Sequence, residues 1–191
     1  YDAHPRYASS HWALQSGLKP MPVFHHHAHA SALTGEYGHE PRWLVFTWDG
    51  IGYGADHTLW GGEALFGSAG YWQRKASLRP FHLPGGELAL RSPWRVAAAL
   101  CWEAGISWPA LPASAELLHQ AWLRRLNAPV MTSVGRLFDA AAALIGLSQD
   151  TSYEAHAAML VEAAADLNST VAPVKLPLNE DARGTWRCDW A

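Results

Sequence analysis

Residues 43–67 read WLVFTWDGIGYGADHTLWGGEALFG, in which two strand-like runs flank a glycine-rich segment. Residues 42–48 and 57–67 carry β-branched and aromatic side chains, which are enriched in strands. Between them, residues 49–54 (DGIGYG) place glycine at alternate positions, which is typical of a turn. We therefore predict a β-hairpin whose turn is residues 49–54.

The chain before the hairpin is predicted to be mainly helical. Residues 2–18 contain apolar positions at roughly helical spacing and predict a short helix, whereas residues 21–24 (MPVF) favour a short buried strand. Residues 25–38 (HHHAHASALTGEYG) predict a second helix that ends near Gly38. Its first turns carry the histidines.

The chain after the hairpin is predicted to be rich in helix. Residues 78–83 favour a further strand, residues 84–86 a turn, and residues 171–178 an edge strand interrupted by proline. Pro93 suits the first turn of a helix, and Ser114 is a candidate N-cap. Apolar residues recur at helical spacing in residues 93–105, 114–126, 135–147 and 152–167. Two or three strands followed by four helices favour an α/β or α+β fold.

Composition excludes several classes of protein. The mean hydropathy is −0.11 and no 18-residue stretch is uninterruptedly apolar, so we expect no membrane partner. Fourteen Lys and Arg against 17 Asp and Glu give a net charge of −3, which predicts no nucleic-acid partner. Two cysteines and no signal peptide favour a cytoplasmic location. Because the chain opens at Tyr1 without methionine and closes abruptly, we also expect a piece of a longer polypeptide.

Two histidines give the sharpest local signal for chemistry. His25 and His29 are four residues apart, which on a helix places both imidazoles on one face, where they can share a divalent metal. The alternative is a histidine-rich helix start with no ligand. A third ligand is needed, and Asp49 is the best candidate because it follows a predicted strand beside a glycine loop. Its alternative role is to close an Asp-Gly turn.

Gly50, Gly52 and Gly54 leave backbone N–H groups open to phosphate oxygens. The stretch does not open a helix as a dinucleotide fingerprint does, and the chain contains no P-loop motif, so a hairpin-type phosphate loop remains. The eleven tryptophans favour core packing around a sheet over a platform for stacking bases.

Four ordered motifs carry a family resemblance: HHHAHASAL at residues 25–33, WDGIGYGADHTLWGGEALFG at 48–67, LPGGELALRSPWR at 83–95 and NAPVMTSVGRLFDAAAALIGLSQDTSYEAHAAML at 127–160. Together they resemble the C-terminal carbamoyltransferase region of the HypF family of nickel–iron hydrogenase maturation proteins. DAHPRYASS at residues 2–10 also resembles the family's segment before the histidines. A looser similarity extends to antibiotic O-carbamoyltransferases and to tRNA threonylcarbamoyladenosine synthesis proteins.

The resemblance implies an α/β, actin-like ATPase fold of the sugar kinase and Hsp70 type, with two subdomains around a nucleotide cleft. Residues 1–41 would end the first subdomain and carry the metal-binding helix. Residues 42–191 would be the second subdomain, a strand hairpin followed by a helical region. The resemblance further implies that the C-terminal part of this domain is missing.

The resemblance also implies an activity. Members of the family take carbamoyl phosphate and ATP through carbamoyl-adenylate and place the carbamoyl group on the C-terminal cysteine of a HypE-type partner. That thiocarbamate becomes an iron-bound cyanide. ATP, carbamoyl phosphate and a HypE-like protein are therefore the implied partners, and the implied cofactor is a divalent metal, Zn or Fe.

Matching positions assign roles by resemblance. His25, His29 and Asp49 match the catalytic metal ligands, Gly50, Gly52 and Gly54 fall where the phosphates lie, and Asp139 falls where an aspartate contacts the ribose. The family's SYEGQA stands here as SYEAHA, so Ala155 replaces a glycine and His156 a glutamine.

Two alternative functions remain open. The same scaffold can carry O-carbamoylation of a small hydroxylated metabolite. The chain can also be a non-catalytic interaction domain that binds metal or nucleotide.

Overall fold

The computed structural model describes residues 1–38, 40–166 and 170–191. The predicted hairpin is confirmed as strands β1 (Trp43–Tyr53) and β2 (Leu59–Gly67), which pair antiparallel. The predicted turn over residues 49–54 is wrong, because β1 continues through it and the chain reverses over residues 54–58.

The glycines of β1 serve close packing rather than a turn. A β-carbon at Gly52 would collide with the ring of His26, and one at Gly54 would collide with the indole of Trp60. Glycine lacks that atom, so the extended strand can lie against both rings. The ladder shifts register between Trp48 and Gly52, which marks a β-bulge.

Within the described residues, β1 and β2 belong to a seven-stranded sheet. The other strands are β3 (Gln73–Leu78), β4 (Phe81–His82), β5 (Val130–Met131), β6 (Leu178–Glu180) and β7 (Trp186–Cys188). Their order is β4-β5-β2-β3-β7-β6, and β1 also pairs with β2. The strand predicted over residues 78–83 is split, because Pro80, which has no N–H, lies between β3 and β4.

The two helices predicted before the hairpin are confirmed as α1 (Ala8–Gln15) and α2 (His25–Tyr37). The strand predicted over residues 21–24 is wrong. Only Val23 pairs there, in a single parallel bridge to Asp2. The preceding residue, Pro22, has no N–H and cannot donate a ladder hydrogen bond.

All four helices predicted after the hairpin are confirmed, with shorter bounds. They are α3 (Pro93–Ala104), α4 (Ala115–Leu123), α5 (Val134–Leu144) and α6 (His156–Ala164), preceded by a 3-10 helix at Gly86–Leu90. Ser114 gives α4 no side-chain cap, whereas the Ser133 hydroxyl accepts the Arg136 N–H and caps α5. The last residue of the predicted fourth helix, Leu167, lies outside the described residues.

The end of the chain differs from the prediction. Residues 170–177 have no regular structure, so the edge strand predicted over residues 171–178 is wrong. The chain instead forms a hairpin of β6 and β7, and β7 joins β3 in parallel. In the part of the chain that the structure describes, no helix is long and apolar enough to cross a lipid bilayer.

Among the residues that the structure describes, two buried clusters hold the elements together. The larger includes Phe81, Val96 and Met131 and joins the sheet to α3 and α5. The smaller fixes α2 against the hairpin and contains Ala30, Val45, Trp60, Leu65 and Trp72. Core packing is thus confirmed for Trp60 and Trp72, while Trp48 is 70% exposed. The small cluster sets the position of the histidine helix relative to β1.

Candidate metal centre and adjoining cleft

The histidine pair lies at the start of α2. The chain is extended at Phe24 and becomes helical at His25, so His25 and His29 occupy successive turns on one face. Their Nε2 atoms are 3.3 Å apart. Both rings therefore point to the same small space.

Asp49 faces this pair from β1. Its Oδ1 accepts the Gly50 N–H at 2.6 Å. Its Oδ2 lies 3.1 Å from His25 Nε2 and 3.7 Å from His29 Nε2, and it is buried without a hydrogen-bond partner among the described residues. Asp49 lies within the register shift of β1, and a β-bulge changes the direction in which side chains point. Asp49 thus lies within a strand rather than before a turn.

The three side chains fit a single divalent ion. Tetrahedral bonds of about 2.0–2.2 Å require ligand atoms roughly 3.3–3.6 Å apart. The separations here bracket that value, and the ligand atoms of His25, His29 and Asp49 all lie within 4.8 Å of one another. Two imidazoles and one carboxylate suit Zn or Fe. The His29 side chain is 58% exposed, which leaves a path from solvent.

His26 lies in the same histidine run, but no role at the site was predicted for it from the sequence. Its ring is fully buried against Trp60, and its Nε2 lies 3.6 Å from Asp49 Oδ2. Burial lowers the pKa of His26 to about 4, although Asp49 opposes the shift. The ring therefore stays neutral near pH 7 and adds no positive charge beside the candidate cation site.

The glycines predicted to contact phosphate have different surroundings. Gly50 and Asp139 both line a cleft of about 540 Å³ between β1 and α5. Gly52 lines a neighbouring cleft of about 590 Å³ and packs against His26. Gly54 packs against Trp60. The N–H of Gly50 donates to Asp49 and that of Gly54 to Thr58, so neither is free for an anion.

A buried arginine, whose role was not predicted from the sequence, lines the first cleft. Arg136 is 7% exposed, and its Nη1 pairs with Asp139 Oδ2 at 2.7 Å. Burial raises the pKa of Asp139, and the nearby guanidinium partly offsets the shift. The i, i+3 spacing of GRLFD was an available signal for the pair.

Ala155 lines the same cleft in a strained backbone conformation. Its φ is +62°, in the left-handed region that favours glycine, and it precedes α6. This backbone conformation explains the glycine in the family's SYEGQA.

The sequence matches models of known protein families. Residues 45–191 match the family model described as the carbamoyltransferase Kae1-like domain, second subdomain, and residues 1–36 match the HypF Kae1-like domain. The chain belongs to the HypF family of carbamoyltransferases.

Several HypF proteins are similar in sequence. Carbamoyltransferase HypF2 of Cupriavidus necator is 39% identical over 176 residues, covering 87% of this chain and 22% of that protein. Carbamoyltransferase HypF of Synechocystis is 39% identical over 202 residues, covering 93% of this chain and 26% of that protein. The chain therefore spans about a quarter of the length of these relatives.

Solved HypF structures share the fold. A full-length HypF in its phosphate- and nucleotide-bound form superposes with a TM-score of 0.89 at 27% identity, covering 97% of this chain and 25% of that one. HypF of T. kodakarensis gives a TM-score of 0.83 at 25% identity, covering 97% and 27%. The α/β arrangement described here is thus that of the matching region of HypF.

Proposed function

We propose that this chain is the part of a HypF-type carbamoyltransferase in which a divalent metal and ATP meet the carbamoyl group. The parent reaction proceeds from carbamoyl phosphate through carbamoyl-adenylate to the C-terminal cysteine of a HypE-like protein, in cytoplasmic maturation of nickel–iron hydrogenase. The convergence of His25, His29 and Asp49 on one space carries this proposal.

The proposed fold is the actin-like ATPase fold. Residues 1–41 end its first subdomain, and residues 42–191 belong to the second. The two family-model matches support this division, since one ends at residue 36 and the other begins at residue 45. The cleft lined by Gly52 then lies between the subdomains, since His4 and Tyr7 also line it, whereas the cleft of Gly50 and Asp139 lies within the second subdomain.

The metal ligands are proposed as the catalytic residues. His25, His29 and Asp49 would hold a divalent ion, which when bound would act as a Lewis acid toward the carbonyl oxygen, where negative charge develops during carbamoyl transfer. His26, neutral and fully buried, packs behind the ligands and excludes water from that side. The Asp49 carboxylate is held in place by the Gly50 N–H.

The nucleotide is proposed to bind beside the β1 segment of Gly50, Gly52 and Gly54 and to contact Asp139, without hydrogen bonds from the N–H groups of Gly50 and Gly54. Gly50 and Asp139 carry this part of the proposal, because they line one cleft together with the buried Arg136. The guanidinium is suited to a phosphate oxygen, and the Asp139 carboxylate can accept a ribose hydroxyl. Gly52 and Gly54 contribute by allowing β1 to pass close to His26 and Trp60.

The nucleophile is proposed to come from the partner. Burial raises the pKa of both Cys101 and Cys188, which keeps these thiols protonated and poorly nucleophilic. The thiolate of the partner's terminal cysteine would attack the carbamoyl carbon, and AMP would leave.

A segment exchange tests the proposal. The matching region of Cupriavidus necator HypF2 is replaced by this chain, and transfer from carbamoyl phosphate to a HypE-type C-terminal cysteine is measured with ATP present. We expect transfer in the exchanged protein and its loss in the same protein carrying Asp49→Asn. Transfer to a small hydroxylated acceptor instead, or equal transfer with Asp49→Asn, would overturn the proposal.

A further inference from the structure

Residues 1–3 lie beside the chain that leads into the histidine helix. Its backbone pairs with the residues that lead into α2, since the Ala3 N–H donates to the Val23 carbonyl at 2.9 Å and the Val23 N–H donates to the Tyr1 carbonyl at 2.8 Å. This short parallel bridge places Asp2 beside the first turn of α2.

Both carboxylate oxygens of Asp2 have defined partners. Oδ1 accepts the His4 N–H at 2.7 Å, and Oδ2 lies 2.7 Å from Nδ1 of His25. The backbone carbonyl of Asp2 accepts the hydroxyl of Ser10, which is 2% exposed, at 2.7 Å. Asp2 is therefore held from three directions, although it is 23 residues distant from His25 in sequence.

This contact determines which nitrogen of His25 can bind an ion. An ionised carboxylate only accepts hydrogen bonds, so Nδ1 must carry the proton that it shares with Asp2. In the neutral ring the lone pair is then on Nε2. That atom faces Asp49 Oδ2 at 3.1 Å and His29 Nε2 at 3.3 Å.

We propose that Asp2 is a positioning residue for the metal centre, whose carboxylate fixes the ring orientation and tautomer of His25 so that Nε2 is presented to a divalent cation. The inference rests on the metal site of the proposed function. A carboxylate behind a ligating histidine commonly raises metal affinity by 10- to 100-fold.

Asp2→Asn tests the inference with little change of shape. The Asn carbonyl can still accept the hydrogen bond from the His4 N–H, so the amide NH₂ faces Nδ1 of His25. Nδ1 must then accept, so the proton moves to Nε2, where it blocks the ion. Asp181→Asn is the matched control, because Asp181 also accepts backbone N–H groups in a turn but belongs to the β6–β7 hairpin.

Two measurements on the 191-residue chain give the result. Co²⁺ affinity by chelator competition should fall roughly 10- to 100-fold in Asp2→Asn and stay unchanged in Asp181→Asn. Nitrogen-15 NMR of the metal-free chain at about pH 8, where an ordinary imidazole is neutral, should show His25 protonated on Nδ1 in the unaltered chain and on Nε2 in Asp2→Asn.

The outcomes separate the two claims. Co²⁺ binding by the unaltered chain with equal affinity in Asp2→Asn would overturn the role of Asp2 and leave the metal site intact. Absence of Co²⁺ binding by the unaltered chain would overturn the metal site and the inference with it. His25 protonated on Nε2 in the unaltered chain would overturn the inference without the need for any variant.

Discussion

The two carboxylate oxygens of Asp49 have different surroundings. This difference favours a metal ligand over a residue that only closes a turn. Oδ1 accepts the Gly50 N–H, while Oδ2 faces the histidine nitrogens and has no hydrogen-bond partner in the part of the chain that the structure describes. In Asp49→Asn the carbonyl oxygen can keep the first contact, so the thermal midpoint of the metal-free chain should move by no more than a few degrees, as for a change of roughly ±0.5 kcal/mol. Divalent-metal affinity measured by calorimetry should fall sharply, and unchanged affinity would remove Asp49 from the site.

Ala155 stores backbone strain that glycine would release. The left-handed conformation destabilises a folded alanine by about 1–2 kcal/mol. Glycine avoids this cost, but the greater freedom of its unfolded chain lowers stability by roughly 0.4–1 kcal/mol. Ala155→Gly should therefore raise the free energy of unfolding by roughly 0.5–1 kcal/mol, measured by urea denaturation. Ala163→Gly, at an exposed position of helix α6, should lower it by up to about 1 kcal/mol. Equal destabilisation by both changes would contradict the strain at Ala155.

Individual site residues were predictable only where local spacing carried the signal. His25 and His29 follow from helix periodicity. His26 and Arg136 did not follow, because their roles depend on burial against Trp60 and beside Gly50, which are distant in sequence. Asp2 could not be found at all from spacing, since its contact with His25 depends on the bridge to Val23.

The β6–β7 hairpin contains a carboxylate with several hydrogen-bond partners. Asp181 accepts the N–H groups of Thr185 and Arg183 and pairs with Arg187, and these contacts lower its pKa to about 2. Because the folded pKa is depressed, the stabilisation is fully present above the unfolded value of about 3.9 and is lost as the pH falls through about 2. An NMR titration of the Asp181 carboxyl carbon should show the low midpoint, whereas a midpoint near 3.9 would contradict these contacts.

Elements with local signals were predicted well, and elements that need distant partners were not. Pro93 and Gly105 mark the start and end of α3, and the structure follows them within a residue. The strands β6 and β7 were missed because β7 pairs with β3, about 110 residues away. The glycines of β1 suggested a turn, but their reason is contact with His26 and Trp60, which no local pattern shows.

At the scale of the whole molecule, Gly50 lies where the hairpin meets the helical region. A β-carbon there would lie 3.4 Å from Arg136 Nη2, so alanine fits the fold but points into the cleft. In the HypF2 exchange protein, Gly50→Ala should lower ATP affinity roughly five- to tenfold, about 1–1.4 kcal/mol, by calorimetry. Gly35→Ala, which meets open space on α2, is the control. Equal ATP affinity in the Gly50 and Gly35 variants would place the phosphates elsewhere.

We propose that helix α2 and strand β1 together form one metal site. The most direct measurement is the content of Zn and Fe in the chain purified without a tag, by elemental analysis. We expect a single ion per chain in the unaltered protein and in His11→Ala, whose ring is exposed on α1, and substoichiometric metal in His25→Ala and His29→Ala. Equal metal content in all four proteins, or none in the unaltered one, would contradict a metal site formed by α2 and β1.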